Sequence, residues 1–173
     1  MLAAMAHTKT LLIVYHSHTG GTRQMVHALR EGAVSESEGG NLEIHLLHAS
    51  EASAEDVLEA DGYVFATPEN LAAMSGMLKD FFDRCYYPAL DHLNGRPYVS
   101  LICAGSDGSN AARQITRIAT GWRLKAVAEP LIICTQAQTP EAIAAPKHVR
   151  EQDLAACHAM GAALASGLLL GIF

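Results

Sequence analysis

Apolar runs of strand length alternate with amphipathic stretches of helical period along this chain, and that alternation restricts the fold more than any other feature. Thr10 to Tyr15 reads as a buried strand. A helix follows, with Met25, Val26, Leu29 and Ala33 on one face, and Gly39-Gly40-Asn41 breaks it. Leu42 to Leu47 alternates apolar with polar, as a half-exposed strand does. Ser53 is placed to cap a short helix through Leu58. The third strand is expected over Tyr63–Ala66, ended by Thr67-Pro68. Met74, Met77, Leu78, Phe81, Phe82 and Cys85 share a helical face, read as core, with Pro88 just beyond its end. Pro97 opens a fourth strand, Tyr98 to Ala104, and Ile115, Ile118, Ala119 and Trp122 mark a fourth helix with Gly121 near its C-terminus. Leu131 to Cys134 completes a fifth strand, with a start as early as Leu124 also open. After an irregular stretch from Gln136 to Arg150, Leu154, Cys157, His158, Gly161, Leu164, Ala165 and Leu168 form a last amphipathic helix. Five strands alternating with five helices specify a parallel sheet covered on both faces. Right-handed crossovers leave two common doubly wound orders, one of them 2-1-3-4-5.

The first strand-to-helix junction carries chemistry. Ser17-His18-Thr19-Gly20-Gly21-Thr22 turns directly from strand into helix. Helix N-terminal N–H groups and the positive end of the helix dipole favour an anion there. Ser17, Thr19 and Thr22 add hydroxyl donors, and the glycines let the backbone approach closely. The segment reads as a phosphate cradle built without a lysine. Two further loops follow strands: Thr67 to Gly76 after the third, and Ala104 to Asn110 after the fourth. In the order 2-1-3-4-5, strands one, three and four are neighbours, so all three loops meet on one rim at the topological switch point.

At 173 residues, half of them apolar, the chain suits a single domain over residues 1–173. A formal net charge of −6 weighs against a nucleic-acid partner. Arg113, Arg117, Arg123 and Lys125 read as a solvated helix face and its exit. Cys85, Cys103, Cys134 and Cys157 form no C-x-x-C pair, which points to free thiols and a reducing cytoplasm. The apolar stretch Met1–Ala6 lacks a basic flank and is too short for a signal sequence. The tail Leu168–Phe173 is far too short to span a membrane and is expected to pack on the body or on a second subunit of a homo-oligomer.

Ser17 to Thr22 resembles the S/T-x-T-G-x-T phosphate signature of flavodoxins. Ala60 to Arg84, with its Thr-Pro, small-residue loop and Met-Ser-Gly-x-Leu-Lys-Asp-Phe-Phe-Asp-Arg helix, is similar to flavodoxin-like NAD(P)H:quinone and flavin reductases. The resemblance covers about two thirds of the chain in motifs and nearly all of it in topology. It implies a flavodoxin-like α/β fold: a doubly wound parallel sheet in the order 2-1-3-4-5 with helices on both faces. It further implies FMN as cofactor, NAD(P)H as electron donor and a quinone, flavin or other small molecule as acceptor. Carried onto this chain, Ser17, His18, Thr19, Gly20, Gly21 and Thr22 hold the FMN phosphate. Pro68, Glu69, Asn70 and Leu71 line one side of the flavin ring, and Ala104, Gly105, Ser106, Asp107 and Gly108 close the other. An ionised Asp107 or Glu69 beside the ring would lower its potential. Two alternatives share the fold: an electron carrier without NAD(P)H activity, and an interaction module that has lost flavin.

The chain departs from the family where an aromatic residue often stacks on the flavin: neither ring-facing loop holds Tyr, Phe or Trp. That leaves an open ring face and favours a reductase over a shuttle. G-x-G-x-x-G and the Walker pattern are both absent. His16 and His18 have no Cys, Asp or Glu at ligand spacing, so no metal is expected; His45 and His48 read as surface residues. Glu69 with Asp107 could also form a hydrolytic acid/base pair, and Cys103 is either a core thiol or a redox thiol beside the ring. Tyr86 and Tyr87 read as packing or subunit-contact residues, with stacking on the ring as the lesser option.

Overall fold

The computed structural model describes residues 7–173, so the Met1–Ala6 stretch lies outside the described residues. The elements of the first half are β1 (Lys9–Tyr15), α1 (Gly21–Ser37), β2 (Leu42–His48), α2 (Ala54–Glu59), β3 (Gly62–Asn70), β4 (Ala73–Met74) and α3 (Gly76–Ala89). The second half contains β5 (Pro97–Ala104), α4 (Ser109–Gly121), β6 (Lys125–Ala126), β7 (Leu131–Cys134), α5 (Pro140–Ala144) and α6 (Glu151–Leu170). The long strands run parallel in the order β2-β1-β3-β5-β7, which is the expected 2-1-3-4-5 order of a flavodoxin-like fold.

Alternate strand residues divide the core into two layers, as the pleat requires. Leu12, Val14, Tyr63 and Phe65 face α2, α3 and α4, whereas Leu11, Ile13, Val64 and Ala66 face α1 and α6. Phe65 anchors the first layer, its ring centroid 5.1 to 6.3 Å from those of Tyr63, Phe81, Phe82, Tyr98 and Trp122. Tyr86 stacks on Trp122 and accepts the indole N–H on its carbonyl at 2.9 Å, so it is a partly buried residue packed against the core; Tyr87 is exposed. In the second layer α1 and α6 meet backbone to backbone. A Cβ on Gly32 would lie 1.9 Å from the His158 carbonyl oxygen, and one on Gly161 would lie 1.9 Å from that of Leu29. By length and composition α6 is apolar enough to cross a membrane, but in this fold it lies along α1 with Cys157, Leu164, Ala165 and Leu168 buried.

Several boundaries differ from the expectation. The third strand does not end at Thr67-Pro68. It runs on to Asn70 and pairs antiparallel with β4, so the expected second loop is a hairpin. Met74 therefore sits in a strand, not a helix, though it is buried as expected; Ser75 caps α3 by accepting the N–H of Leu78. Pro88 falls inside the last turn of α3, and Met77 is exposed rather than core. The fifth strand is split: β6 pairs with Pro97 and Tyr98, and β7 pairs with Leu101 to Ala104. Pro130, with no N–H to give a ladder, lies between the two pieces. The stretch Gln136–Arg150 contains the helix α5, capped by Thr139. In the tail, the Phe173 ring packs over Gly167 while Leu170 and Ile172 stay exposed.

Candidate functional site

The rim at the C-terminal ends of β1, β3 and β5 holds a cleft of about 690 Å³. Gly20 is the N-cap of α1 at φ +92°, a conformation that L side chains adopt only with strain. A Cβ on Gly21 would stand 2.5 Å from Cys103 Sγ, so the turn sits directly on β5. Ser17 Oγ accepts the N–H of Arg23 at 3.2 Å, which fixes that hydroxyl at the helix entry. Gly21 and Thr22 occupy the first turn of α1, whose N–H groups have no intrahelical carbonyl. Thr22 Oγ1 is buried and has no hydrogen-bond partner among the described residues. An unpaired buried polar group costs about 1–3 kcal/mol. A phosphate placed at the helix N-terminus gives this hydroxyl its acceptor, so the residues present fit the phosphate of FMN.

The second wall is the β3–β4 hairpin. Its turn residues Leu71 and Ala72 are both left-handed, at φ +50° and +62°, where Asn and Gly are the usual occupants. The strain is held by bonds to neighbouring elements. The N–H of Gly108 donates to Glu69 Oε2 at 2.6 Å, Asn110 Nδ2 to the Ala72 carbonyl at 2.7 Å, and the N–H of Met74 to Gln114 Oε1 at 2.8 Å. The Ser75 N–H donates to Thr67 Oγ1 at 2.9 Å. Hairpin and α4 are thus one braced unit, with the exposed Leu71 at its tip.

Ser17, His18, Thr19, Gly21, Thr22, Pro68, Glu69, Asn70, Leu71, Ala104, Gly105 and Ser106 all line the cleft. Gly20, Asp107 and Gly108 do not line it. Gly20 shapes the cradle from behind, Gly108 serves as N-cap of α4, and Asp107 turns to the N–H and hydroxyl of Ser109. Glu69 and Asp107 thus have separate partners, and only Glu69 lines the cleft, which does not favour the hydrolytic pair the sequence left open. Cys103 is both buried and at the cleft wall; burial pushes its thiol up to about 11, so it stays protonated and unreactive at neutral pH.

Sequence reasoning missed the third wall. Thr135, Ala137, Gln138, Ile143 and Lys147, from the segment after β7, also line the cleft. The cradle is thus not free of lysine, but the Lys147 ammonium is engaged elsewhere, donating to the carbonyls of Ala142, Ile143 and Ala145 at 2.7 to 2.9 Å. Pro140 and Pro146 masked this segment as a plain loop; Thr139-Pro140 was its readable signal, an N-cap followed by a first-turn proline. His16 sits at the end of β1 beside the cradle, and burial with His48 and His18 nearby holds its pKa below the ordinary value. Its ring packs edge-on to His48, which is therefore not a plain surface residue.

A doubly wound sheet with a phosphate-type cradle and a braced hairpin at the switch point defines the flavodoxin-like class. Residues 48–139 match the family described as NADPH-dependent FMN reductase, and the chain belongs to that family of FMN-binding oxidoreductases. The match takes in the hairpin and the β5–α4 loop; the cradle lies N-terminal to it. A flavodoxin of Aquifex aeolicus is 42% identical over 98 residues, 57% of this chain and 51% of the relative, so the chain spans about half the length of that curated relative. Among solved structures, an archaeal flavodoxin superposes with a TM-score of 0.73 at 17% identity, covering 92% of this chain and 98% of that one. A WrbA-like flavodoxin of Agrobacterium tumefaciens gives 0.69 at 19% identity, with 91% and 96% covered. The flavodiiron protein of Giardia intestinalis gives 0.73 at 19% identity, over 92% of this chain and 36% of that one.

Proposed function

We propose that this chain holds FMN in the cleft and catalyses NAD(P)H-dependent reduction of a quinone, flavin or other small acceptor in a reducing cytoplasm. The observation that carries this reading is the lining of the cleft. It joins an unpaired Thr22 hydroxyl at a helix N-terminus to walls that contain no Phe, Tyr or Trp. Bound FMN would supply the redox chemistry, taking an electron pair from the nicotinamide and passing it to the acceptor in a ping-pong cycle. The protein's part is placement. The cradle would hold the phosphate, and the braced hairpin and the Ala104–Ser106 backbone would flank the ring. Among the described residues the cleft lining holds no Phe, Tyr or Trp, which would leave a ring face open to donor and acceptor in turn.

The experiment is a visible spectrum of FMN-loaded protein under nitrogen before and after NADH or NADPH. Rapid bleaching, reversed by a quinone, is the expected result. A second reading is favoured by the flavodoxin relative: an electron carrier. FMN that stays yellow with both nicotinamides yet takes electrons one at a time from a chemical reductant would select it. Protein that takes up no FMN would remove both readings and leave the interaction module.

A further inference from the structure

The segment between β7 and α6 is tied to the phosphate turn mainly through one side chain. Gln24, in the first turns of α1, donates from Nε2 to the Gly20 carbonyl at 2.9 Å and to the Lys147 carbonyl at 2.8 Å. Its Oε1 accepts the N–H of Val149 at 3.1 Å. The single amide therefore spends both of its donors and its acceptor on this junction. One further bond runs beside it, from the N–H of Lys147 to the Thr19 carbonyl at 2.8 Å. The Lys147 stem also packs on the turn, 3.3 Å from where a Cβ on Gly21 would stand. The same segment carries Ala137, Gln138 and Ile143 into the cleft wall. Cradle and wall are thus two pieces of chain, more than 100 residues apart, joined by this side-chain clip and one backbone bond.

We infer that Gln24 is a positioning residue for the cofactor's phosphate: it holds the 136–149 strap against the phosphate turn, so that retaining the phosphate and keeping the strap closed are one event. The inference rests on the proposed FMN site. With the clip made, the Gly20 carbonyl accepts Gln24 Nε2 as well as the Gln24 backbone N–H, the Thr19 carbonyl accepts the N–H of the clipped Lys147, and the N–H groups of Gly20 and Gly21 on those two peptides keep one orientation. With it lost, only the two backbone bonds at Gly20 and Thr19 hold the turn, the ligand must supply the rest of its order, and binding weakens by the cost of that ordering. Riboflavin, which lacks the phosphate, does not draw on this preorganisation.

The test uses the whole chain and Gln24→Met, which keeps the side-chain length and removes all three bonds. Affinities for FMN and for riboflavin are measured by quenching of flavin fluorescence. Trypsin cleavage after Lys147 is followed with and without FMN. The expected result is a loss of FMN affinity of about tenfold, the worth of one or two hydrogen bonds, with riboflavin affinity nearly unchanged. FMN shields the Lys147–His148 bond in the wild type, and that shielding is lost in the variant. Should Gln24→Met fail to fold, Gln24→Glu keeps the Val149 bond but cannot donate, and is expected to show the same selective loss. A folded variant whose FMN and riboflavin affinities fall together, or whose FMN affinity and shielding stay at wild-type levels, overturns the inference. Wild-type protein that binds no FMN overturns the cofactor reading on which it stands.

Discussion

Thr22 separates binding from stability at a single atom. Its hydroxyl is buried without a partner among the described residues, so replacing it with the isosteric Val removes a cost in the ligand-free protein and, in the proposed site, a bond in the loaded one. Thr22→Val is expected to hold or raise the stability of the free protein by up to about 1 kcal/mol while weakening FMN about tenfold. A thermal melt without ligand and a flavin titration give the two signs. His16 makes a second prediction at this scale. Its folded pKa lies below the ordinary 6.5, so below that pH the unfolded chain takes the proton more readily. Its contribution to stability is therefore complete above the unfolded value, declines as pH falls toward the depressed folded value, and is flat beneath it. Urea unfolding at about pH 7.5 and about pH 5.5 is expected to show a smaller difference in His16→Gln than in the wild type. The cradle was legible in sequence because its signal is local: hydroxyls and glycines at a strand-to-helix junction. The bonding of Glu69 to Gly108, and of Asp107 to Ser109, was not, since which neighbour a carboxylate turns to is decided by packing.

Among the elements, the α1–α6 contact and the braced hairpin carry the sharpest expectations. Gly161 admits no side chain, because a Cβ would stand 1.9 Å from the Leu29 carbonyl oxygen. Gly161→Ala must part the two helices and is expected to cost at least about 3 kcal/mol by denaturant unfolding. Gly76 opens α3 with nothing within 4 Å of its Cβ position, so Gly76→Ala is expected to stabilise by about 0.5–1 kcal/mol in the same assay. In the hairpin, Glu69→Ala leaves the Gly108 N–H without its carboxylate and frees one side of a turn that Leu71 and Ala72 already strain. Faster amide exchange at Met74, whose N–H is held by Gln114, is the expected sign. The order of the elements was readable because apolar period changes cleanly between strand and helix. The hairpin was not, because Thr67-Pro68 looks like a strand end; yet Pro68 stands opposite Cys103 in the ladder, and the strand runs two residues past it. The split of the fifth strand went unread for a similar reason: Lys125–Ala126 is too short to show any period.

In the whole molecule, one sheet brings three walls to one rim. The phosphate turn comes from the first crossover, the hairpin from the third strand, and the strap from the last connection. The fold places them there because β1, β3 and β5 are adjacent and parallel, so their C-terminal ends share an edge. In the proposed site the first of these walls holds the phosphate of FMN with amides and hydroxyls alone. A crystal structure grown with FMN is the decisive measurement. The expected result is a phosphate within hydrogen-bond reach of Thr22 Oγ1 and the N–H groups at the start of α1, with the ring lying toward the hairpin. FMN seated with its phosphate away from this turn, or absent from the cleft at saturating concentration, would contradict the account.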